Sequence, residues 1–263
     1  MKLNNKVALV TGGGVGIGEA ISLAFASEGA AVVVAARTLP RLEAVAEKIK
    51  SGGGKATAIQ TDVSDEGQVK RMVAQTLSEY GQVDILVNNS GIMGPTASVV
   101  DIKLEDWNEV LAINLTGAML CSREVLKSMV SRQRGNILNI SSRAGQKGFP
   151  MRSPYCVSKW GMIGLTQTLA LEVGRYNIRV NCISPGRTEG ERIENVRKAR
   201  AEAAGLTYEE ILNRERATTT SPLGRVTVTT DEVANTAVFL VSDESGGITG
   251  ENISVSAGTA LQT

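Results

Sequence analysis

The chain has 263 residues, 42% hydrophobic and 21% charged, with a formal charge of +1; these are the proportions of a globular protein with a sizeable core, and they give no global reason to expect nucleic acid or an anionic membrane as a partner. It contains no histidine, which excludes Ser-His-Asp hydrolysis, His-ligated zinc and imidazole acid–base catalysis. Cys121, Cys156 and Cys182 are well separated and form no CxxC pair, so no metal site is expected and the thiols read as the reduced ones of a cytoplasmic protein.

The N-terminus, MKLNNKVALVTGGG, runs straight into a strand and a glycine turn and leaves no room for a cleavable signal. No apolar run reaches the roughly 18–20 residues that span a bilayer. Strands are expected at KVALVT from Lys6, AAVVVAAR from Ala30, KATAIQTDV from Lys55 and VDILVNNS from Val83. They continue at GNILNISS from Gly135, IRVNCISPG from Ile178 and NISVSAG from Asn252. Most are continuous Val/Ile/Leu/Ala runs, as strands covered on both faces require. Helical patterns lie between them, among them GEAISLAFASEG, PRLEAVAEKIKS and DEGQVKRMVAQTLSEYG, several opening on Asp, Ser or Pro and closing on Gly. Seven strands interleaved with helices predict an α/β fold with an open parallel sheet and helices on both faces. With no linker or repeat, one domain over 1–263 is expected. Residues 187–221 break the rhythm. This charge-rich stretch, between the sixth strand and the last long helix, is expected to form two helices and to act as a substrate lid.

VALVTGGGVGIGEAI joins an apolar strand to a helix through glycines. Such a turn lets the backbone approach a ligand closely and points helix N-terminal N–H groups at a pyrophosphate. The strict GxGxxG frame fails at Glu19; the frame that fits is Gly12-xxx-Gly16-x-Gly18. The second strand ends VVVAART, with Ala36 where an NAD-preferring fold carries an acid for the ribose 2′-hydroxyl. Arg37 and Thr38 follow, and a cation without a neighbouring carboxylate suits a 2′-phosphate. NADP(H) is therefore expected over NAD(H).

TGGGVGIG at 11–18, DV at 62–63, NNSG at 88–91, Asn114 in LAINLTG, NISS at 139–142, YCVSK at 155–159 and SPG at 184–186 follow one another in order. Along nearly its whole length the chain resembles the short-chain dehydrogenase/reductase family. The resemblance implies a Rossmann-like, doubly wound sheet of seven parallel strands in the order 3-2-1-4-5-6-7. It also implies a nicotinamide cofactor and a catalytic tetrad of Asn114, Ser142, Tyr155 and Lys159. Ser142 is preferred to Ser141 because the family's serine lies thirteen residues before the tyrosine, and because neighbouring side chains at a strand end point to opposite faces. The cofactor residues it implies are Gly12, Gly14, Gly16, Ile17 and Gly18, Arg37 and Thr38, Asp62 and Val63, Asn89 and Gly91, Tyr155 and Lys159, and Pro185, Gly186 and Thr188. Two departures stand out: Ser90 replaces the family's alanine in NNAG, and Gly190 replaces the threonine of PGxxxT, with Thr188 two residues earlier.

Tyr155 and Lys159 are spaced i, i+4 and share one helix face. A nearby ammonium favours the phenolate, which lets a phenol exchange protons where no imidazole exists. Tyr155 is expected to protonate the developing alkoxide, Ser142 to hydrogen-bond the same oxygen, Lys159 to bind the nicotinamide ribose and Asn114 to hold a water linking Lys159 to solvent. Between Ser141 and Tyr155 lie Arg143, Lys147 and Arg152 and no acid, and Arg187 follows the SPG turn. Ser142, Arg152 and Arg187 are accordingly candidate substrate residues, and an anionic substrate is a hypothesis. The function expected is hydride transfer between NADP(H) and a ketone or secondary alcohol, with a small-molecule substrate, no nucleic acid and no membrane. Alternatives are an NAD-dependent dehydrogenase of a hydroxy acid or sugar alcohol, and a non-catalytic cofactor-binding relative. Trp160, which follows Lys159, is expected to face a neighbouring subunit, because the family commonly pairs through this helix; the resemblance thus implies a homo-oligomer, dimer or tetramer.

Overall fold

In a computed structural model, which describes residues 1–219 and 221–261, the apolar runs become seven parallel strands. They are β1 (Val7–Thr11), β2 (Ala31–Ala36), β3 (Lys55–Gln60), β4 (Ile85–Asn88), β5 (Gly135–Ile140), β6 (Ile178–Pro185) and β7 (Asn252–Val255). Their order is β3-β2-β1-β4-β5-β6-β7, as the resemblance implied. Side chains alternate across the sheet: Ala8, Val10, Val32, Val34, Ile85 and Val87 enter one core, while Leu9, Val33, Ala35 and Leu86 enter the other. Both faces are therefore dry. That is why the strands read as unbroken hydrophobic runs and not as alternating ones.

Helices α1 (Gly16–Ser27) and α2 (Leu39–Ser51) supply Ile21, Phe25, Leu42 and Ile49 to the first core. Helix α3 (Glu66–Tyr80) supplies Val69, Met72 and Val73 to the second. Helix α4 (Leu104–Leu111) continues through a π-helical turn, Ala112–Thr116, into α5 (Gly117–Arg132). Helix α6 (Ser153–Val173) follows β5. The segment expected as a lid is two helices, α7 (Glu191–Ala204) and α8 (Tyr208–Thr218), before α9 (Thr230–Val241) returns to the first core. Within the 187–221 segment, residue 220 lies outside the described residues, as do 262 and 263 at the end of the expected domain. Among the described residues no helix is long and apolar enough to cross a membrane.

The strand order turns around between β1 and β4, so the crevice of this single Rossmann-like domain opens above their carboxyl ends. At the opposite edge Asp84 ties the strands together. Its carboxylate accepts from the Val7 N–H (2.8 Å), Gln82 Nε2 (2.8 Å), Arg132 Nη1 (2.9 Å) and Arg134 Nη2 (3.0 Å). Burial alone would raise the Asp84 pKa; the Arg132 and Val7 hydrogen bonds and Arg134 outweigh it and hold the carboxyl below its ordinary value of 3.8. A depressed carboxyl contributes stability above its unfolded pKa and loses it as pH falls through the folded value. Asp84→Asn, which strands two guanidiniums, is expected to cost about 2–4 kcal/mol at neutral pH. It should also flatten the loss of stability between roughly pH 5 and pH 3. Urea unfolding at both pH values checks this, and an unchanged acid slope would remove Asp84 from that role.

Candidate active site

The first wall of the crevice is the turn from β1 to α1. Gly12 adopts φ +64°, and a methyl group on Gly18 would lie 2.2 Å from the Gly12 carbonyl oxygen, so helix and turn pack backbone to backbone. The turn is fastened to the end of β4. Asn89 Nδ2 donates to the carbonyls of Thr11 and Gly12, both at 3.1 Å. Thr11 Oγ1 donates to the Val87 carbonyl and accepts the N–H groups of Asn89 and Ser90 at 3.1 and 3.2 Å. Asn89 is thus a positioning residue for the glycine turn. Gly14, Gly16 and Ile17 lie where the turn becomes α1, whose N-cap, Val15, makes no side-chain cap hydrogen bond. An N-terminus of this kind presents N–H groups to an anion.

Around this turn stand the other expected cofactor residues. Arg37 and Thr38 are exposed at the end of β2, and Arg41 on α2 lies against Gly14: a methyl on that glycine would sit 3.3 Å from Arg41 Cβ. Asp62 accepts from the N–H and hydroxyl of Ser64 at 2.9 and 2.6 Å. Val63 is buried, its side chain against Gly117, so only its main chain is available to a ligand. Pro185 ends β6, the Gly186 N–H donates to the Val255 carbonyl, and Thr188 pairs with Val228 in an isolated bridge.

The second wall is built from α6, the end of β5 and the π turn. Lys159 is 4% exposed, and its Nζ donates to the Ile140 carbonyl at 2.8 Å. Its own carbonyl accepts from Ser141 Oγ at 2.7 Å. Two hydrogen bonds thereby seat one turn of α6 on the end of β5. Lys159 Nζ lies 5.9 Å from the Tyr155 ring centroid, as the i, i+4 spacing predicts. A methyl on Gly91 would stand 3.5 Å from Lys159 Nζ and 3.2 Å from Asn114 Oδ1, so Gly91, Asn114 and Lys159 converge.

Asn114 is fully buried within the π turn, a rare helical irregularity that recurs at functional sites. Its Oδ1 accepts the Ile92 N–H at 2.8 Å, while Nδ2 donates to the Ile92 carbonyl (2.9 Å) and to Ser158 Oγ (3.0 Å). Ser158 Oγ in turn donates to the Tyr155 carbonyl at 2.8 Å. Both amide hydrogens of Asn114 are committed, so its side chain positions α6 and the loop after β4. The two adjacent serines divide as alternation requires. Ser141 is buried against Lys159, whereas half-buried Ser142 stands at the rim, its Oγ accepting the Ala144 N–H at 3.1 Å.

Cations gather at this rim. Arg152 Nη1 is 3.5 Å from the Gly94 carbonyl. Arg187 Nη1 donates to Thr219 Oγ1 at 2.9 Å, and Arg143 stacks 5.2 Å over the Phe149 ring with Nη1 3.4 Å from the Thr259 carbonyl. Burial first, then the Arg187 charge, holds Arg143 below the ordinary guanidinium value. Arg187 is likewise lowered, by burial and by Arg200 and Arg197 against the pull of Glu215. Burial pushes the Cys121 thiol up to about 12 and the Cys182 thiol to about 11, which keeps both protonated near neutral pH.

A family model described as short chain dehydrogenase matches residues 6–201. The chain belongs to that family. It is 37% identical to a 3-oxoacyl-[acyl-carrier-protein] reductase of Thermotoga maritima, over 99% of this chain and 100% of the relative. Among solved structures it resembles NAD+-bound xylitol dehydrogenase, with a TM-score of 0.91 and 33% identity over 98% of this chain and 100% of the other. It also resembles an actinorhodin polyketide ketoreductase with NADPH, with a TM-score of 0.92 and 33% identity over 98% of each chain. This member of the family is accordingly an NAD(P)-dependent oxidoreductase acting on CH–OH or C=O groups.

Sequence reasoning did not single out Thr11 and Ser158, which hold the glycine turn and Asn114 in place. Both lie within recognised motifs, TGGGVGIG and YCVSK, where a small hydroxyl between motif residues was the available signal. Gly18→Ala tests the turn. Its Cβ would displace backbone, so a stability loss of about 1–3 kcal/mol is expected, with at least about tenfold weaker nucleotide binding by fluorescence titration. Wild-type affinity in this variant would show that the close approach does not shape the nucleotide site.

Proposed function

We propose that the chain reduces a ketone, or oxidises the corresponding secondary alcohol, with NADP(H), Tyr155 serving as general acid and base. The observation that carries this reading is the placement of Lys159 Nζ 5.9 Å from the Tyr155 ring, seated on the Ile140 carbonyl and beside Gly91 and Asn114. The backbone approach at Gly12 and Gly18, the α1 N-terminus and the space kept by Gly91 fit a dinucleotide laid from β1 across β4 to α6. Gly12, Gly14, Gly16, Ile17 and Gly18 would hold its pyrophosphate; Asp62, Val63 and Gly91 its adenine and ribose edges; Pro185, Gly186 and Thr188 its nicotinamide side. Bound there, the nicotinamide supplies or accepts a hydride at the substrate carbon.

In reduction Tyr155 gives its phenolic proton to the carbonyl oxygen as that oxygen gains charge, and Ser142 donates a hydrogen bond to the same atom. Lys159 stabilises the phenolate left behind and offers its ammonium to the nicotinamide ribose. Because the Asn114 side chain is committed to Ile92 and Ser158, its main-chain carbonyl in the π turn is the group left to hold a water on the proton route. Oxidation runs the same transfers backwards.

Preference for NADP(H) rests on Arg37. It is exposed beside Ala36, with Arg41 nearby on α2, and among the described residues neither is ion-paired to a carboxylate that would oppose a 2′-phosphate. Helices α7 and α8 act as the substrate lid. Exposed Trp160 and Val157, 52% and 44% accessible, border an apolar groove with Leu115 and Phe149 that supports self-association through α6. The free thiols fit a cytoplasmic setting.

Two substitutions test this reading. Tyr155→Phe is expected to lower kcat by about a thousandfold, within the range of a positioned general acid, while NADPH affinity changes by less than about twofold. Turnover within about tenfold of wild type would remove Tyr155 from the proton step. Arg37→Asp should weaken NADPH binding by about a hundredfold, or about 2.7 kcal/mol, and leave NADH unharmed or improved. Equal losses for both nucleotides would contradict the assignment of the 2′-phosphate to Arg37.

A further inference from the structure

Ser142 and Arg143 are consecutive at the end of β5, and Arg187 is the first residue past Gly186 on the adjacent strand β6. Both guanidiniums therefore start from the sheet edge that carries the proposed reacting centre. Each is half-buried on neutral acceptors, Arg143 on the Thr259 carbonyl and the Phe149 ring and Arg187 on Thr219 Oγ1. Thr219 belongs to the foot of α8, where its N–H donates to the Glu215 carbonyl at 2.9 Å. One turn deeper, Glu215 spends both carboxylate oxygens on lid arginines, Oε2 on Arg197 Nε (3.0 Å) and Oε1 on Arg200 Nη1 (3.2 Å). Arg197 is 6% exposed. Its Nη2 is buried and, among the described residues, has no hydrogen-bond partner, although Glu215 and the Tyr208 hydroxyl attend the same guanidinium. Among the described residues, Glu215 thus pairs with Arg197 and Arg200, and Arg187 reaches the foot of the same helix through Thr219.

A half-buried guanidinium resting on neutral acceptors gains from a counterion, and Arg143 and Arg187 both rest on such acceptors at the edge of the site. We infer that Arg143 and Arg187, backed by the Arg197–Glu215–Arg200 cluster of the lid, bind an oxyanion carried by the substrate, making the protein a reductase of short oxo acids or their phosphoester counterparts. This rests on the carbonyl-reducing reading above. A planar guanidinium pairs such a group through two parallel hydrogen bonds. Arg143 follows Ser142 at the end of β5 and Arg187 follows the end of the neighbouring β6, so both side chains start from the strand ends that border the proposed reacting centre. Closing α7 and α8 over the anion would bring Arg187 its missing counterion, which couples substrate charge to lid closure. Arg152, turned to the Gly94 carbonyl, stands outside this group.

The test compares acetoacetate and 4-oxopentanoate with their methyl esters, and dihydroxyacetone phosphate with dihydroxyacetone, by NADPH turnover and by calorimetric binding to the protein with NADP+. Wild type should favour the charged member of at least one pair by about tenfold or more in kcat/KM. Arg187→Gln should lose that preference with the neutral partner changed less than about twofold, and Arg187→Lys should recover part of it. Arg143→Gln, which leaves the lid untouched, guards against a folding defect at Arg187 and should show the same selective loss. Preference for the acids assigns a carboxylate, and preference for the phosphate a phosphoester. Equal turnover of charged and neutral partners, or equal losses on both in the variants, overturns the inference while carbonyl reduction stands. Binding of an acid that Arg187→Gln weakens, without reduction of any ketone, upholds the anion pocket and overturns the redox reading. No binding of any of the anions overturns the pocket.

Discussion

The hydrogen bond from the buried Lys159 ammonium to the Ile140 carbonyl is the contact on which the site depends. A lysine 4% exposed must be compensated where it stands, and this one is compensated at the end of a central strand. The bond fixes the rotation of α6 about its own axis, because the next helical position on that face is Tyr155. It is reinforced by Ser141 on the Lys159 carbonyl and by Ser158, which accepts from Asn114 and donates to the Tyr155 carbonyl. These anchors on one turn fix where the backbone presents Tyr155, as a proton donor held for a transition state would require.

The same economy governs the opposite wall. Thr11 and Asn89 tie the turn after β1 to the loop after β4, so the two strands flanking the crevice present their ends as one surface. Gly91 lies on that loop and reaches Asn114 and Lys159 from the other side. The sheet order makes this possible. With β4 beside β1 and β5 beside β4, the glycine turn, the π turn and α6 all gather at the carboxyl ends of three neighbouring strands. The aliphatic cores beneath give that edge its rigidity, and Asp84 secures the far end.

Much of this was legible in the sequence because two-sided burial writes itself as unbroken Val/Ile/Leu runs, and every expected strand is present. Glycines at backbone contacts and the Tyr155/Lys159 spacing were legible for a similar reason: few residues satisfy those constraints. The π turn was not. Ala112–Thr116 continues the helical pattern of its neighbours, and the extra residue shows only in the backbone. Nor did the sequence disclose that the Asn114 side chain is spent on Ile92, since a backbone partner has no side-chain signature. That Arg143 and Arg187 start from neighbouring strand ends depends on β5 and β6 being paired, which no local periodicity specifies. Helices α7 and α8 were legible as charge-rich helical sequence, yet the pairing of Arg197 and Arg200 with Glu215 crosses between the two helices, whose packing no local pattern specifies.

The central claim is that Lys159 holds Tyr155 at the place where a nicotinamide and a carbonyl meet. A crystal structure of the protein with NADP+ tests it most directly. The account predicts the pyrophosphate over the Gly12–Gly18 turn, the nicotinamide ribose on Lys159 Nζ and the Tyr155 hydroxyl beside the exposed face of the ring. A dinucleotide whose nicotinamide lies away from Lys159, or a Tyr155 hydroxyl turned from the ring, would contradict it.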